Sequence, residues 1–300
     1  MDYEKLPRYA QLALRAVAPA VAHMPRLLMK VRYRRWTGEW PHLDEPGNLQ
    51  EFFLSEMLKA AEDPAKLRLY ADLADKYVVR DFVRQRVGEK AGQALTKLYG
   101  VWDRPEDIDF DALPVPCVIK TNNGCGTNIV VRSKADINPD EIRRRLSVWL
   151  EFPYGELSGQ PHYSAITPKI IAEEFLEQTP GTDDLPFDYK FFCFNGEPKF
   201  ILFYSDRRLN SHVTYNQVYD TDWNIIEGIV NLPLEGTAPR PEALEDMVAM
   251  ARELSKGFKC VRVDFYGIGK RAVFGEMTFS PDVIMNFTPA FLRDIMKEVR

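Results

Sequence analysis

The sequence predicts an α+β protein in which antiparallel hairpins alternate with amphipathic helices. Two hairpins and a set of helix-spaced apolar residues carry that expectation. The first hairpin spans Val261–Pro281, where two alternating runs flank a turn built on Gly267 and Gly269. The second runs from Phe187 to Tyr204 around Asn195-Gly196, a dipeptide suited to the positive φ of a tight hairpin turn. Helices are predicted over 49–62, 65–86, 139–151 and 241–256, where apolar side chains return every three or four residues.

Alternation in the last hairpin sorts its side chains by face. Val261, Val263 and Phe265 share one side with Val273, Met277 and Phe279. Arg262, Asp264, Glu276 and Thr278 share the other, and Phe274 falls on their side. Two carboxylates and a cation on one sheet face suit a Mg²⁺ ion with phosphates above it. That ion takes one or two carboxylates and leaves its other positions to phosphate oxygens and water. A solvated face of an ordinary hairpin fits the same residues.

Three hundred residues bury a large core and suggest one large or two medium domains. A net charge of -5 argues against nucleic acid as the main partner. Four cysteines (Cys117, Cys125, Cys193 and Cys260) are scattered, which argues against a zinc site or disulfide framework and fits a reducing cytoplasm. No secretory signal is expected, because the early apolar run is broken by Arg15, Pro19 and Pro25. Nor does any stretch reach the roughly 18 apolar residues of a spanning helix.

Along the chain, Pro19 and Pro25 divide residues 6–36 into short helices. The basic segment 26–36 ends in Lys30-Val-Arg-Tyr-Arg-Arg-Trp36. It suits an anionic membrane surface, and equally a solvated face or a partner contact. A strand, Val115–Thr121, carries Lys120 at its end and meets Asn122-Asn-Gly-Cys-Gly-Thr-Asn128. Gly124 and Gly126 let backbone amides approach an anion closely, although a hairpin turn also needs glycine. No Gly-Lys-Ser/Thr follows, so this is not a Walker A loop. A buried strand, Ile170–Ala172, runs into Glu173-Glu174-Phe175-Leu176. Arg207, Arg208 and His212 occupy a polar region that ends in Tyr219-Asp-Thr-Asp-Trp223.

The order of these pieces resembles the ATP-grasp superfamily, in which two α+β subdomains grip ATP. Within it the chain is similar to the TupA-like ATP-grasp family, associated with teichuronopeptide and other cell-surface polysaccharide biosynthesis. The resemblance rests on Ala74-Asp-Lys-Tyr-Val-Val-Arg80, Lys169-Ile-Ile-Ala-Glu-Glu-Phe-Leu176, Tyr189-Lys-Phe-Phe-Cys-Phe-Asn-Gly196, Tyr219-Asp-Thr-Asp-Trp-Asn224 and Val261-Arg-Val-Asp-Phe-Tyr266. It covers roughly residues 40–300 and implies a helical N-terminal part of the ligase (49–112), after a basic helical extension (1–48) whose first 35 residues are read from composition alone. A subdomain with the Gly-rich loop (113–175) and a C-terminal subdomain with the metal-binding hairpin (176–300) follow.

Residue by residue, the resemblance makes Lys76 and Lys120 phosphate contacts, with Gly124, Cys125, Gly126 and Thr127 in the flap above the phosphates. Glu173, Glu174, Phe175 and Leu176 become the adenine hinge, and Asp188 the ribose acid. Asp264 and Glu276 become Mg²⁺ ligands, with Thr278 where many relatives have Asn. A hydroxyl is a weaker metal ligand than a carboxamide carbonyl. Arg262 falls near the transferred phosphoryl group. The segment Ser280–Phe287 lacks the glycines the family carries after the proline that stands here as Pro281. Arg207 and Arg208 are candidates for binding a carboxylate, and His212 for helping an amine lose its proton.

The implied activity is an ATP- and Mg²⁺-dependent carboxylate–amine ligase acting through an acyl phosphate. Its implied substrates are a small-molecule or glycan carboxylate, such as a uronic acid, and an amine. No nucleic acid is expected as a partner. A cytoplasmic location is implied, at the inner membrane face if residues 26–36 bind lipid. A polysaccharide glycosyltransferase and a nucleotide-binding module without turnover are the alternatives.

Overall fold

The computed structural model describes residues 3–178, 185–205, 215–230, 237–282 and 287–299. Six helices come first: α1 (Arg8–Ala22), α2 (Pro25–Thr37), α3 (Leu49–Ala61), α4 (Pro64–Ala74), α5 (Val79–Val87) and α6 (Ala91–Ala94). Strands β1 (Leu98–Trp102), β2 (Cys117–Thr121) and β3 (Asn128–Val131) precede α7 (Pro139–Leu150), α8 (Tyr154–Ser158) and α9 (Pro161–Ser164). Then come β4 (Ile170–Glu174), β5 (Asp188–Phe194), β6 (Glu197–Ser205), β7 (Tyr215–Tyr219) and α10 (Leu244–Ser255). The chain ends with β8 (Cys260–Ile268), β9 (Arg271–Thr278), α11 (Pro289–Asp294) and α12 (Met296–Val299). The strands form two antiparallel sheets, ordered β1-β4-β2-β3 and β7-β6-β5-β8-β9. Two compact units hold them. One comprises Met1–Arg32, Leu58–Arg80 and Thr96–Phe175, and the other Tyr33–Met57, Asp81–Leu95 and Leu176–Arg300.

In the first unit α7 covers one face of the four-stranded sheet. Asn138 caps it, accepting from the Glu141 amide at 3.2 Å, and Pro139 opens it. Its Ile142, Leu146 and Trp149 pack on Cys117, Ile119, Ile129, Val131, Ile170 and Ala172. Strand alternation therefore turns Lys120 and Glu173 to the face away from α7.

In the second unit α10 lies against β5, β6, β8 and β9 and buries Leu244, Met247, Met250 and Leu254. On the other sheet face Phe192, Phe194 and Phe200 pack with Leu49 and Phe53 of α3 and with Leu292 and Ile295 near the C-terminus. Phe192 and Phe200 stack at 4.6 Å between centroids.

Several elements differ from the sequence expectation. The single helix over 65–86 is two helices. Asp75 ends α4, and its Oδ1 accepts from the amides of Tyr77 (2.8 Å) and Val78 (3.1 Å), which turns the chain into α5. Pro19 does not break α1, because it lies in the last turn and removes only one hydrogen bond there. Strand β1 is an addition to the expected elements. Its Gly100 sits under the Trp102 ring, where a Cβ would come within 2.2 Å of the indole. Strand β7 and the short helices α8 and α9 fall in stretches whose pattern is polar or loop-like. In the last hairpin a bulge follows Asp264↔Glu276, so Phe265 pairs with Phe274 and Tyr266 with Val273. Phe274 thus joins Phe265 on the apolar face, with rings 6.3 Å apart, and not the face of Glu276.

Candidate active site

Each unit gathers part of the candidate residues on one sheet face. In the second unit the β8–β9 pairing sets Arg262 opposite Thr278 and Asp264 opposite Glu276. Arg262 grips Asp264 as a fork, Nε to Oδ1 and Nη2 to Oδ2, both at 2.7 Å. The same Nη2 donates to Glu276 Oε1 at 2.8 Å and to Thr278 Oγ1 at 3.1 Å. Thr278 Oγ1 donates in turn to Glu276 Oε1 at 2.7 Å. One cationic nitrogen therefore stands where two carboxylates and a hydroxyl converge.

Lys190 completes the cluster. It lies opposite Asp264 in the β5–β8 pairing and bridges Asp264 Oδ2 and Asp188 Oδ2, each at 2.7 Å. Its ammonium also sits over the Tyr204 ring, 5.7 Å from the centroid. Burial disfavours the charge on Arg262, but Asp264 and Glu276 outweigh it and hold the guanidinium above its ordinary value. Burial likewise opposes charge on Lys190, and Asp188 and Asp264 outweigh it. The Tyr204 phenol is pushed up to about 12 by burial, against the pull of Lys190 and Arg262. The cluster is thus a charged network built into the sheet, with the Tyr204 ring beside it.

Asp264, Glu276 and Thr278 are the residues that could hold a divalent cation, and the Arg262 Nη2 occupies the point on which they converge. Asp264 and Glu276 would hold the metal, with Thr278 beside them.

In the first unit Lys120 Nζ lies 2.5 Å from Glu173 Oε2, and Arg80 Nη1 holds Glu173 Oε1 at 2.9 Å. Burial pushes the Glu173 carboxyl up, but Lys120 and Arg80 more than offset this and hold it below the usual carboxylate range. Glu173 belongs to β4, and its side chain is committed to these two cations. Phe175 follows the strand and lies under the Arg132 guanidinium, 4.7 Å from its ring centroid.

The Gly-rich loop joins the same unit through Asp75 and Lys76. Asn122 donates to Asp75 Oδ2 at 2.8 Å and accepts from the Lys169 amide at 2.6 Å. Lys76 Nζ donates to the Gly124 carbonyl. Gly126 has φ +75°, a left-handed conformation that favours glycine. Thr121 and Thr127 share a hydroxyl hydrogen bond of 2.9 Å across the loop, and Cys125 is exposed at its tip. The Asn123 carboxamide oxygen is buried without a hydrogen-bond partner.

Of the sequence candidates, Asp188, Arg262, Asp264, Glu276 and Thr278 come together in the second unit. Lys76, Lys120, Glu173 and the 124–127 loop belong to the first. Glu174 ends β4 opposite Cys117, so it lies on the α7 side of the sheet, whereas Glu173 faces away. Leu176 opens the last segment of the second unit. Arg207, Arg208 and His212 lie outside the described residues. Lys190 and Arg80 carry no role in the sequence reading, although both sit inside its motifs. Their signal is positional: Lys190 shares the alternation phase of Asp188, and Arg80 ends the motif that Asp75 and Lys76 open.

Solved structures similar to the chain include the ATP-grasp ligase PsnB complexed with minimal precursor. It is 13% identical, with 72% of this chain and 54% of that chain covered and a TM-score of 0.40. D-alanine–D-alanine ligase from Bacillus anthracis complexed with ATP is 16% identical, with 75% and 60% covered and a TM-score of 0.42. L-amino acid ligase from Bacillus licheniformis is 13% identical, with 69% and 40% covered and a TM-score of 0.41. The chain thus spans less than two thirds of the length of each. No curated protein matches it. The family description "TupA-like ATPgrasp" matches residues 56–294, which include every motif that builds the two charged clusters, and the chain belongs to the TupA-like ATP-grasp family.

Proposed function

We propose that the protein is an ATP- and Mg²⁺-dependent carboxylate–amine ligase. The observation that carries the reading is the gathering of Asp264, Glu276 and Thr278 around the Arg262 guanidinium within a chain of this family. Mg²⁺ held by Asp264 and Glu276 would neutralise charge on the phosphate oxygens of ATP. Lys76 and Lys120 would hold phosphate oxygens, as mobile point charges suited to that task. The loop 124–127 would cover them. Residues 173–176 would line the adenine site, partly through backbone groups, and Asp188 would take the ribose hydroxyls. Arg262 would stabilise charge on the phosphoryl group in transfer.

In this reaction a carboxylate oxygen attacks the γ-phosphorus, and the bond to ADP breaks. An amine then attacks the acyl carbon. The carbon–oxygen bond to phosphate breaks, and the amine loses a proton to leave the amide. Arg207 and Arg208 are proposed to bind the carboxylate, and His212 to take the proton. The substrates proposed are a uronic acid or similar carboxylate of a surface polysaccharide and an amino acid or other amine. We place the reaction in the cytoplasm, with residues 26–36 as a cationic contact to the inner membrane face. Supporting this are the scattered cysteines and the charge of that segment.

The test is ADP release with ATP, Mg²⁺ and paired panels of carboxylates and amines. Release that requires both partners supports the ligase. Turnover of a nucleotide sugar, or tight ATP binding with no ADP under any pair, overturns it.

A further inference from the structure

Eight of the nine exposed large apolar side chains among the described residues fall between positions 9 and 40. They are concentrated in α1 and α2, where a soluble helix ordinarily turns its apolar side inward. Helix α1 turns much of its apolar surface outward, while Leu14 and Val21 on its inner side are half-buried. Its buried positions are Gln11 and Ala18, and its outward positions include Tyr9 (77% exposed), Leu12 (50%) and Val17 (49%). At 100° per residue Tyr9, Leu12, Ala13, Ala16, Val17 and Ala20 form one stripe with no charge inside it. Arg8 and Arg15 fall at its edge. Met24, Leu27 and Val31 continue the exposed apolar series, interleaved with Arg26, Lys30 and Arg34.

Positive charge predominates along this segment, although Glu4 and Glu39 flank it and Arg15 is paired. From Lys5 to Gly38 the chain has eight lysines and arginines and no acidic residue, in a protein of net charge -5. The helix is also held in place. Gln11 donates to the carbonyls of Tyr3 (3.2 Å) and Leu6 (3.0 Å), Tyr3 stacks on Phe152 at 4.3 Å, and Arg15 pairs with Glu151. Its apolar stripe is therefore presented outward by a buried polar anchor. Among the described residues no helix is long and apolar enough to cross a membrane.

We infer that the outward face of α1, continued by α2, docks on an anionic lipid bilayer. The apolar stripe enters the headgroup–acyl boundary while the flanking cations meet anionic headgroups. A second copy of the chain would place like charges against one another, so charge complementarity favours the anionic surface over self-association. This goes beyond the charged segment 26–36, because it makes an uncharged stripe of α1 the inserting element. It is independent of the ligase reading.

The experiment is co-sedimentation of the full chain with neutral phosphatidylcholine vesicles and with vesicles containing phosphatidylserine, at low and high salt. The variant Tyr9→Ser/Leu12→Gln/Val17→Gln changes only exposed positions. The single variant Val17→Trp adds a fluorescent reporter on the stripe. Unfolding temperature and circular dichroism check that each variant is folded. The expected result is binding to anionic vesicles that weakens with salt and falls at least about tenfold in the triple variant. In the Val17→Trp variant the emission in excess of that of the five native tryptophans shifts to the blue on binding. Absence of wild-type binding, or unchanged binding by the folded triple variant, overturns the inference. So does a concentration-dependent dimer that the triple variant abolishes, which would make the stripe a self-interface.

Discussion

Arg262 and Asp264, two residues apart on β8, form a two-pronged ion pair at 2.7 Å that also draws in Glu276. The two carboxylates differ in surroundings. The Asp264 side chain is 4% exposed and holds both Arg262 and Lys190, whereas Glu276 is 39% exposed. Asp264→Asn should therefore cost stability as well as turnover, about 3–5 kcal/mol, because it leaves buried cations uncompensated. Glu276→Gln should abolish ADP formation at a stability cost of under about 1 kcal/mol. Urea unfolding and an ADP assay on both variants check this. Equal stability losses would show that the two carboxylates are not so divided.

Lys190 is expected to matter for turnover through its hold on Asp188 and Asp264. Lys190→Met should lower kcat by about 10²-fold, the loss typical of removing one stabilising donor. Lys190→Arg should recover part of it by keeping the charge. A Met variant with full activity would make the ammonium a purely structural counter-ion.

Glu173 separates two functions that its position in β4 combines. In Lys120→Met the Glu173 carboxylate keeps Arg80 at 2.9 Å, so the fold should stand while ATP binding weakens about tenfold or more. Glu173→Gln instead faces both Lys120 and Arg80 with a neutral group and should lose about 3–5 kcal/mol. Denaturant unfolding beside ATP titration distinguishes the pair. Weaker ATP binding in neither variant would remove Lys120 from the phosphate contacts.

His162, fully buried in α9, makes no hydrogen bond through either ring nitrogen, and burial lowers its pKa to about 3 from the ordinary 6.5. The unfolded chain therefore binds a proton that the folded chain refuses between those values. Its contribution to stability is complete above pH 6.5 and is lost as pH falls towards about 3, by up to about 1.4 kcal/mol per pH unit. His162→Leu should flatten stability against pH in that window. An unchanged acid slope in the variant would assign the loss to other groups.

The last hairpin is legible in the sequence because period-two alternation places Arg262, Asp264, Glu276 and Thr278 together without knowledge of the rest of the fold. The bulge beside Gly275 is not, since it depends on pairing register. There the Asp264 carbonyl lies 3.1 Å from where a Cβ would stand. Lys190 is hidden for a related reason: its place beside Asp264 requires β5 and β8 to be neighbours, a pairing across 74 residues. Apolar spacing continues across Asp75 and so predicts one long helix. The Asp75 carboxylate, bonded to two following amides, overrides that spacing locally. The outward apolar face of α1 is hidden as well, because a lone helix pattern does not say which side is covered.

The most direct measurement of the proposed chemistry follows oxygen. With the carboxylate substrate labelled with ¹⁸O, the attacking oxygen leaves with phosphorus when the amine displaces the acyl phosphate. Mass spectrometry of the released phosphate, alongside the amide, reads the outcome. One ¹⁸O per phosphate is the expected result. Phosphate free of ¹⁸O, with the amide product confirmed, would contradict phosphoryl transfer to the carboxylate.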